Sequence, residues 1–265
     1  RTEGKTPQIA QDQLERDIKS IVTRWEDRFI SIGGDRAAQI AVSQSYKEQF
    51  SPDSALKDIE DILGCPAAEG GLRIALYRHE GDSDSQLGLK IFHADTPLAL
   101  SRRVPMLEHL GFTVISEHTH ELEITDIGGG NRRAVILHDM EIATTDGKGV
   151  SLEADSDRLK EAILAIWHGR IDSDGFNRLV VGAGLAVREA MVLRAIARYL
   201  RQAGLQFPGD FISDALARYP DIAAKLFELF RTRFDLTLDD KTRKTALSGL
   251  TRDIDGALTN VPNQD

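Results

Sequence analysis

The chain has 265 residues, with 41% hydrophobic and 28% charged residues and a formal net charge of −9. This composition is typical of a globular chain and excludes wholesale disorder. The negative charge disfavours nucleic acid and anionic membrane surfaces as partners.

The cysteine content and hydropathy indicate a compartment. Cys65 is the single cysteine, so the chain has neither an internal disulfide nor a thiolate zinc site. No apolar run approaches the length that spans a bilayer. We therefore expect a cytoplasmic protein with no membrane partner, and because the sequence starts at Arg1 rather than methionine, a segment of a longer protein.

The N-terminal part has a helical pattern throughout, which predicts an all-helical segment over residues 1–69. Gly33-Gly34 is predicted to end a first amphipathic helix, and Asp35 to cap a second one. Ser51-Pro52 is predicted to cap and begin a third helix. The segment 65–71, rich in Ala, Gly and Pro, is predicted to be a boundary. The apolar positions of the first two helices are Leu14, Ile18, Ile21, Val22, Trp25 and Phe29, then Ile40, Val42, Tyr46 and Phe50.

The middle of the chain, residues 70–170, alternates between strand and helix patterns. A strand at Leu72 and a second one through Leu87–Phe92 predict an antiparallel hairpin. Ser101 is predicted to cap a helix that ends at Gly111. Two more paired strands, 112–124 and 133–142, and a helix over 157–168 follow. We predict an α+β fold with an antiparallel sheet and helices on one face, flanked by N- and C-terminal helical segments.

The last part, residues 171–265, is predicted to be helical. One long helix is closed at Gly204, a short one stops before Pro220, and a third begins there. A final charged helix carries apolar residues through Leu258 at three- and four-residue steps, which indicates that it packs on a partner surface.

Glycines and histidines are the first candidates for chemistry. Gly128-Gly129-Gly130 lacks the spacing of a phosphate-binding loop and precedes a strand, so it predicts a flexible hairpin loop. His118 and His120 share a predicted strand face, with His138 as a third candidate metal ligand. Since the sequence fixes only two of the three ligands that an open site normally needs, we interpret them as polar strand residues.

Charged pairs and the cysteine are the other candidates. Glu121 and Glu123 lie on one strand face, a pattern that serves acid–base chemistry but also describes a solvated face, which we favour. Arg102 and Arg103 at a helix start allow an anionic ligand or a partner carboxylate, but we expect an exposed pair. Cys65 lacks a nucleophile context and is predicted to be inert. The sequence thus predicts no catalytic, cofactor-binding or metal residue in this chain.

Several stretches resemble the large bacterial NAD-specific glutamate dehydrogenases, in that family's order. They are SALKDIEDIL, ALYR, LGLKIFHADTPLALSRRVPMLEHLGFTVISE, SDGFNRLVVGAGLAVREAMVLRAIARYLRQAG and LFELFRTRFD. The resemblance implies the end of a regulatory region with ACT-type domains and helical motifs. It also implies NAD as the cofactor of the parent enzyme but none in this fragment, with the catalytic lysine, the catalytic aspartate and the nucleotide-binding glycines outside the chain.

The resemblance implies partners as well: the catalytic domain of the same protein, other subunits of a homo-oligomer, and a small amino-acid effector. The predicted element order departs from the usual ACT order because a terminal strand comes first, which weakens transfer of the usual effector site to the loop 95–101. Two alternatives stay open, namely a purely architectural module and a free-standing amino-acid sensor. Polar side chains that converge on a sheet edge beside a glycine turn would favour a ligand.

Overall fold

The computed structural model describes residues 24–125 and 130–262. Its helices are α1 (Trp25–Ala37), α2 (Gln44–Gln49), α3 (Pro52–Ala55), α4 (Ile59–Gly64), α5 (Leu100–His109), α6 (Leu152–Trp167), α7 (Arg178–Gly182), α8 (Val187–Gln202), α9 (Gly209–Arg218), α10 (Pro220–Phe234) and α11 (Asp240–Leu258). Its strands are β1 (Ile40–Val42), β2 (Leu72–Tyr77), β3 (Gln86–Ala94), β4 (Phe112–Thr125) and β5 (Arg132–Thr144). Short 3₁₀ turns cover Leu56–Asp58, Cys65–Ala67, Glu69–Gly71 and Gly175–Asn177.

The strands form a five-stranded antiparallel sheet in the order β1-β4-β5-β3-β2, with helices around it. The chain divides into two compact units. The first comprises Arg1–Arg73, Phe92–Pro97 and Thr119–Leu137, and the second comprises Ile74–Ile91, Leu98–His118 and His138–Asp265. The predicted α+β class is confirmed.

The predicted order of strands and helices in the middle of the chain is also confirmed. It runs β2, β3, α5, β4, β5, α6. The strand that comes first, β2, lies at the sheet edge beside β3. An edge position has one neighbour only, so a strand can reach it from either end of the chain segment without disturbing the pairing of the other strands.

The second unit has a core between the sheet and its helices. Leu107 of α5, Leu110 directly after that helix, and Leu159 and Ile163 of α6 are fully or almost fully buried, as their helical spacing predicts. On β3 both faces are buried, including Lys90, which lies 5.3 Å from the ring centre of Tyr77. A long charged side chain of this kind buries its methylene groups and keeps its ammonium near a polarisable ring.

In the first unit, one predicted helix is wrong. Ile40–Val42 is a strand that pairs with β4, with Ile40 opposite Ile124, and the following helix α2 begins after Ser43, whose hydroxyl accepts a hydrogen bond from Tyr46 N. The N-terminal segment, predicted to be all-helical over residues 1–69, therefore contains a strand. Two β-branched residues favour a strand once a partner strand is present.

Other features of the first unit agree with the sequence. Gly34 interrupts α1 with a φ of 60°, and Ser51 caps α3, which begins at Pro52. The part of the first predicted helix that precedes residue 24 lies outside the described residues. The Tyr46 hydroxyl donates to Asp58 over 2.7 Å, which gives this buried carboxylate a hydrogen-bond partner.

Two predicted helix starts are displaced. Helix α5 begins at Leu100 after Ala99, so Ser101 is not its cap, and Pro105 lies inside the helix. Helix α6 begins at Leu152, earlier than predicted, because Ser151 caps it by accepting from Ala154 N. A serine followed by acidic residues in the first turn is a capping signal that outweighs the later apolar periodicity.

The C-terminal helices match the prediction. Helix α8 ends shortly before Gly204, α9 stops before Pro220, and α10 begins at that proline. The final helix α11 packs against α10, which supplies the predicted partner surface. The short helix α7 has no clear sequence signal and was not predicted. None of the helices in the described ranges has the length and apolar character needed to cross a membrane.

Candidate functional site: a polar cleft at Gly111

The three candidate histidines differ in their surroundings. His118 is exposed, whereas His120 is buried and is hydrogen-bonded to Ser45 Oγ at 3.0 Å and Gln49 Oε1 at 2.9 Å. His138 is buried as well. Among residues 24–125 and 130–262, no group of three His, Cys, Asp or Glu side chains is arranged to hold a metal ion.

The glutamate pair lies on a partly solvated face, as expected. Glu121 is exposed, and Glu123 is paired with Arg132 at 3.2 Å. Gly130 has a φ of 69°, while Gly128 and Gly129 lie outside the described residues.

Cys65 is fully buried, and its thiol donates to the Gly71 carbonyl over 3.0 Å. Burial disfavours the thiolate and raises the pKa of Cys65 to about 12. A thiol that stays protonated at neutral pH is a poor nucleophile. This environment agrees with the prediction of an inert residue.

The expectation that Arg102 and Arg103 form an exposed pair is wrong for Arg103. The guanidinium of Arg102 is exposed and lies 3.8 Å from the ring centre of Trp167. Arg103 is only 3% exposed and forms a salt bridge with Glu117. It points inward, where the carboxylate of Glu117 on strand β4 compensates its buried charge.

Arg103, Glu117 and His138 form a buried ionisable cluster in the second unit. Glu117 Oε1 lies 3.3 Å from His138 Nδ1, and Leu98 N donates to His138 Nε2 over 3.1 Å. Since Nε2 accepts this bond, the imidazole is neutral with its proton on Nδ1, directed at Glu117. The cluster thereby fixes the backbone of Leu98, just before α5.

The loop 95–101, to which the resemblance would assign an effector site, is occupied by its own contacts. Asp95 has a φ of 68°, its N–H donates to the Ala134 carbonyl over 2.9 Å, and its carboxylate is paired with Arg133 at 3.2 Å. At the far end of the loop, Leu98 N donates a hydrogen bond to His138 Nε2. These groups are already hydrogen-bonded or ion-paired within the protein.

A polar cleft lies instead at the opposite end of α5. It has a volume of about 310 Å³ and is lined by residues from four stretches of the second unit. Gly111, with a φ of 92°, turns the chain from α5 into β4, and its carbonyl accepts a hydrogen bond from Thr145 N over 2.9 Å. A side chain at this φ would be strained, so glycine is required.

The cleft carries charges of both signs. Arg178 begins α7 and is paired with Asp214 of α9 at 2.6 Å. Arg218, at the end of α9, adds a second guanidinium, and Asp146, in the turn after β5, adds a second carboxylate that accepts from Lys148 N. Polar side chains thus converge beside a glycine turn, at the ends of the interior strands β4 and β5 and not at an edge strand of the sheet. Sequence reasoning missed them because Gly111 alone carried a signal, and that signal was for a helix end.

Helices α8 to α11 carry a second surface, which we call the apolar groove. It is about 480 Å³ in volume, and its lining includes Ile196, Leu200, Leu205, Leu216, Phe230 and Phe234. Leu200 and Phe234 are exposed, and nearby in sequence Leu236 is 96% exposed. Contiguous apolar surface of this kind marks interaction sites.

Two family models match the chain over the regions just described. Residues 71–155 match the model described as glutamate dehydrogenase, ACT3 domain, and residues 171–236 match the model described as glutamate dehydrogenase, helical motif 3. The sheet region is therefore an ACT-type domain, and the helices that line the groove include a helical motif of the same enzyme class.

Curated relatives are also similar to this chain. It is 33% identical to the NAD-specific glutamate dehydrogenase of Pseudomonas aeruginosa over 94% of its length and 32% identical to that of Halomonas elongata over 84%. The corresponding protein of Mycobacterium tuberculosis is 28% identical over 89% of the chain. The chain belongs to the family of NAD-specific glutamate dehydrogenases. It spans only 14% to 16% of the length of these relatives.

Proposed function

We propose that this chain is a non-catalytic regulatory and assembly region of an NAD-dependent glutamate dehydrogenase in the cytoplasm. The parent reaction would convert glutamate, NAD and water to 2-oxoglutarate, ammonia and NADH. The observation that carries the proposal is the succession of an ACT3 match and a helical motif 3 match in one chain. The proposed NAD-binding and catalytic residues belong to other parts of the parent.

The proposed division of labour follows three segments. Residues 1–69 are the N-terminal segment, 70–170 an ACT-type domain that responds to a small amino-acid effector, and 171–265 a helical motif that transmits the response to the catalytic domain. Such control requires that the effector have different affinities for two states of the enzyme.

The activity is tested on the full-length parent and on the 265-residue chain alone. The parent should form NADH from L-glutamate and NAD, and the chain alone should form none. A full-length protein without glutamate-dependent NADH formation would contradict the proposed parent enzyme. NADH formation by the chain alone would contradict its non-catalytic role.

The apolar groove supports the assembly role. Its proposed occupant is another part of the same polypeptide, because the relatives extend far beyond the region matched here. Hydrogen exchange compares the amides of α8–α11 in the chain alone and in the parent. Protection that persists in a dilute monomeric parent supports this occupant, whereas protection only in an oligomer assigns the groove to another subunit. Equal exchange in both proteins overturns the assembly role.

A further inference from the structure

The side chains of Arg178 and Asp214 can exchange their mutual ion pair for contacts with a ligand. Arg178 is 35% exposed and Asp214 51% exposed, and within the part of the chain that the structure describes, Asp214 is the one hydrogen-bond partner of the Arg178 side chain. A guanidinium has five N–H donors, so most of its capacity is unused. An exposed pair contributes little to stability and is opened at small cost.

The charges of the cleft select a class of ligand. A simple anion at Arg178 would displace Asp214 and leave that carboxylate without a counter-ion, and a simple cation at Asp214 would do the same to Arg178. A zwitterion replaces one ion pair by two, because the carboxylate of the ligand pairs with the guanidinium of Arg178 and its ammonium pairs with the carboxylate of Asp214. The second guanidinium and the second carboxylate of the lining keep the formal charge balanced.

The size of the cleft limits the ligand. Its volume of about 310 Å³ is at the lower end of the range for ligand sites. The remaining wall is made of small residues, among them Val181, Gly182 and Ala217. These leave room for a short side chain.

We infer that the cleft at Gly111 binds a small zwitterionic α-amino acid between Arg178 and Asp214. This inference rests on the proposed regulatory function and gives it a ligand site away from the loop 95–101. The lining joins the turn after α5 and the turn after β5 to helices α7 and α9, all in the second unit. A bound ligand therefore contacts both the sheet region and the helical motif.

Calorimetry on the full 265-residue chain tests the ligand class. The probes are L-alanine, L-serine and L-asparagine, with propionate and ethylamine as analogues of alanine that lack the ammonium or the carboxylate. At least one amino acid should bind, and both analogues should bind about tenfold more weakly or worse, because each loses a charge-assisted interaction. Binding of propionate as tight as that of alanine, or silence of all three amino acids, overturns the inference.

Variants test the location. Arg178→Gln and Asp214→Asn should each weaken the binding of the amino acid about tenfold or more. Gly182→Leu keeps the charges and fills the cleft, and a Cβ at this position meets only Pro220 Cβ at 3.9 Å, so the fold should tolerate it. Arg231→Gln removes a comparable exposed pair, with Glu228, outside the cleft and should bind normally. Circular dichroism checks that each variant is folded, and unchanged affinity in the first three would place the site elsewhere.

The outcomes separate this inference from the proposed function. If the chain binds an amino acid but the parent lacks glutamate-dependent NADH formation, the inferred binding site is supported and the proposed parent enzyme is contradicted. If the parent is active but the chain binds none of the amino acids, the proposed parent enzyme is supported and the inferred binding site is contradicted. If both hold, the bound amino acid should change the rate of the parent, and Gly182→Leu should abolish that change.

Discussion

Arg103 and Arg178 both pair with a carboxylate in the second unit, but their surroundings are opposite. Arg103 is 3% exposed and shares Glu117 with His138, whereas Arg178 and its partner Asp214 are both open to solvent. Removal of one member of a buried pair strands the other charge away from water, while removal of an exposed partner leaves a hydrated charge. Loss of one partner is therefore costly in the buried pair, whereas the exposed pair remains exchangeable.

The largest expected effect is on the buried cluster. Glu117→Ala should lower the free energy of unfolding by about 3–5 kcal/mol, because it leaves Arg103 buried without its carboxylate. Urea denaturation measures the change. Glu121→Ala, at an exposed position of the same strand, is the matched control and should stay within about 0.5 kcal/mol of the unmodified chain. Equal losses in the two variants would remove the contrast between buried and exposed groups.

The next effect is a pH dependence from Cys65. Its pKa is raised to about 12 in the folded chain, from an ordinary value of about 9. Between these values the unfolded chain loses the thiol proton while the folded chain keeps it, so stability falls as pH rises. The loss from pH 8 to pH 10 should be about 1.4 kcal/mol.

Urea denaturation at both pH values measures this loss, and Cys65→Ala provides the control. All other titrating groups are common to the two proteins, so the difference between their slopes isolates the thiol. Parallel slopes would show that the folded thiol ionises as readily as the unfolded one.

A smaller effect is expected at the start of α6, where an exposed polar group has a backbone partner. Ser151→Ala should cost about 1 kcal/mol of stability, because Ala154 N loses the hydroxyl that accepts its hydrogen bond. Ser156→Ala, inside the same helix, should be neutral or slightly stabilising, since alanine has the higher helix propensity. A neutral Ser151→Ala would exclude the cap as a source of stability.

The smallest effect is expected at the cleft itself. Arg178→Gln should change the free energy of unfolding by less than about 1 kcal/mol, since its pair with Asp214 is exposed. Thermal or urea denaturation without added ligand measures this. A loss as large as that of Glu117→Ala would mean that Arg178 supports the fold and is not free to exchange partners.

The sequence predicts the parts of this fold whose signals are local. Alternation located β2 and β3, helical spacing located the buried face of α6, and Ser51-Pro52 and Gly111 marked a helix start and a helix end. Strand β1 was missed because three residues show no period, and their pairing depends on residues 122–124, far along the chain.

The candidate site could not be predicted from the sequence for a related reason. The burial of Arg103 depends on Glu117 from another element, and the cleft draws on residues near 111, 145, 180 and 216 that the fold brings together. Each of those residues looks like an ordinary surface or turn position alone. Family resemblance identified the chain without locating the cleft.

Helix α6 has a practical consequence for dissecting the protein. The ACT3 match ends at residue 155 and the helical motif 3 match begins at 171, whereas α6 spans Leu152–Trp167 and packs against α5, α7 and α8. An ACT fragment expressed with its last codon at 155 would lack Leu159, Ala162 and Ile163, which are almost completely buried. The heterologously produced domain would then expose its core, so the expression boundary belongs after Gly169, where the helix has ended.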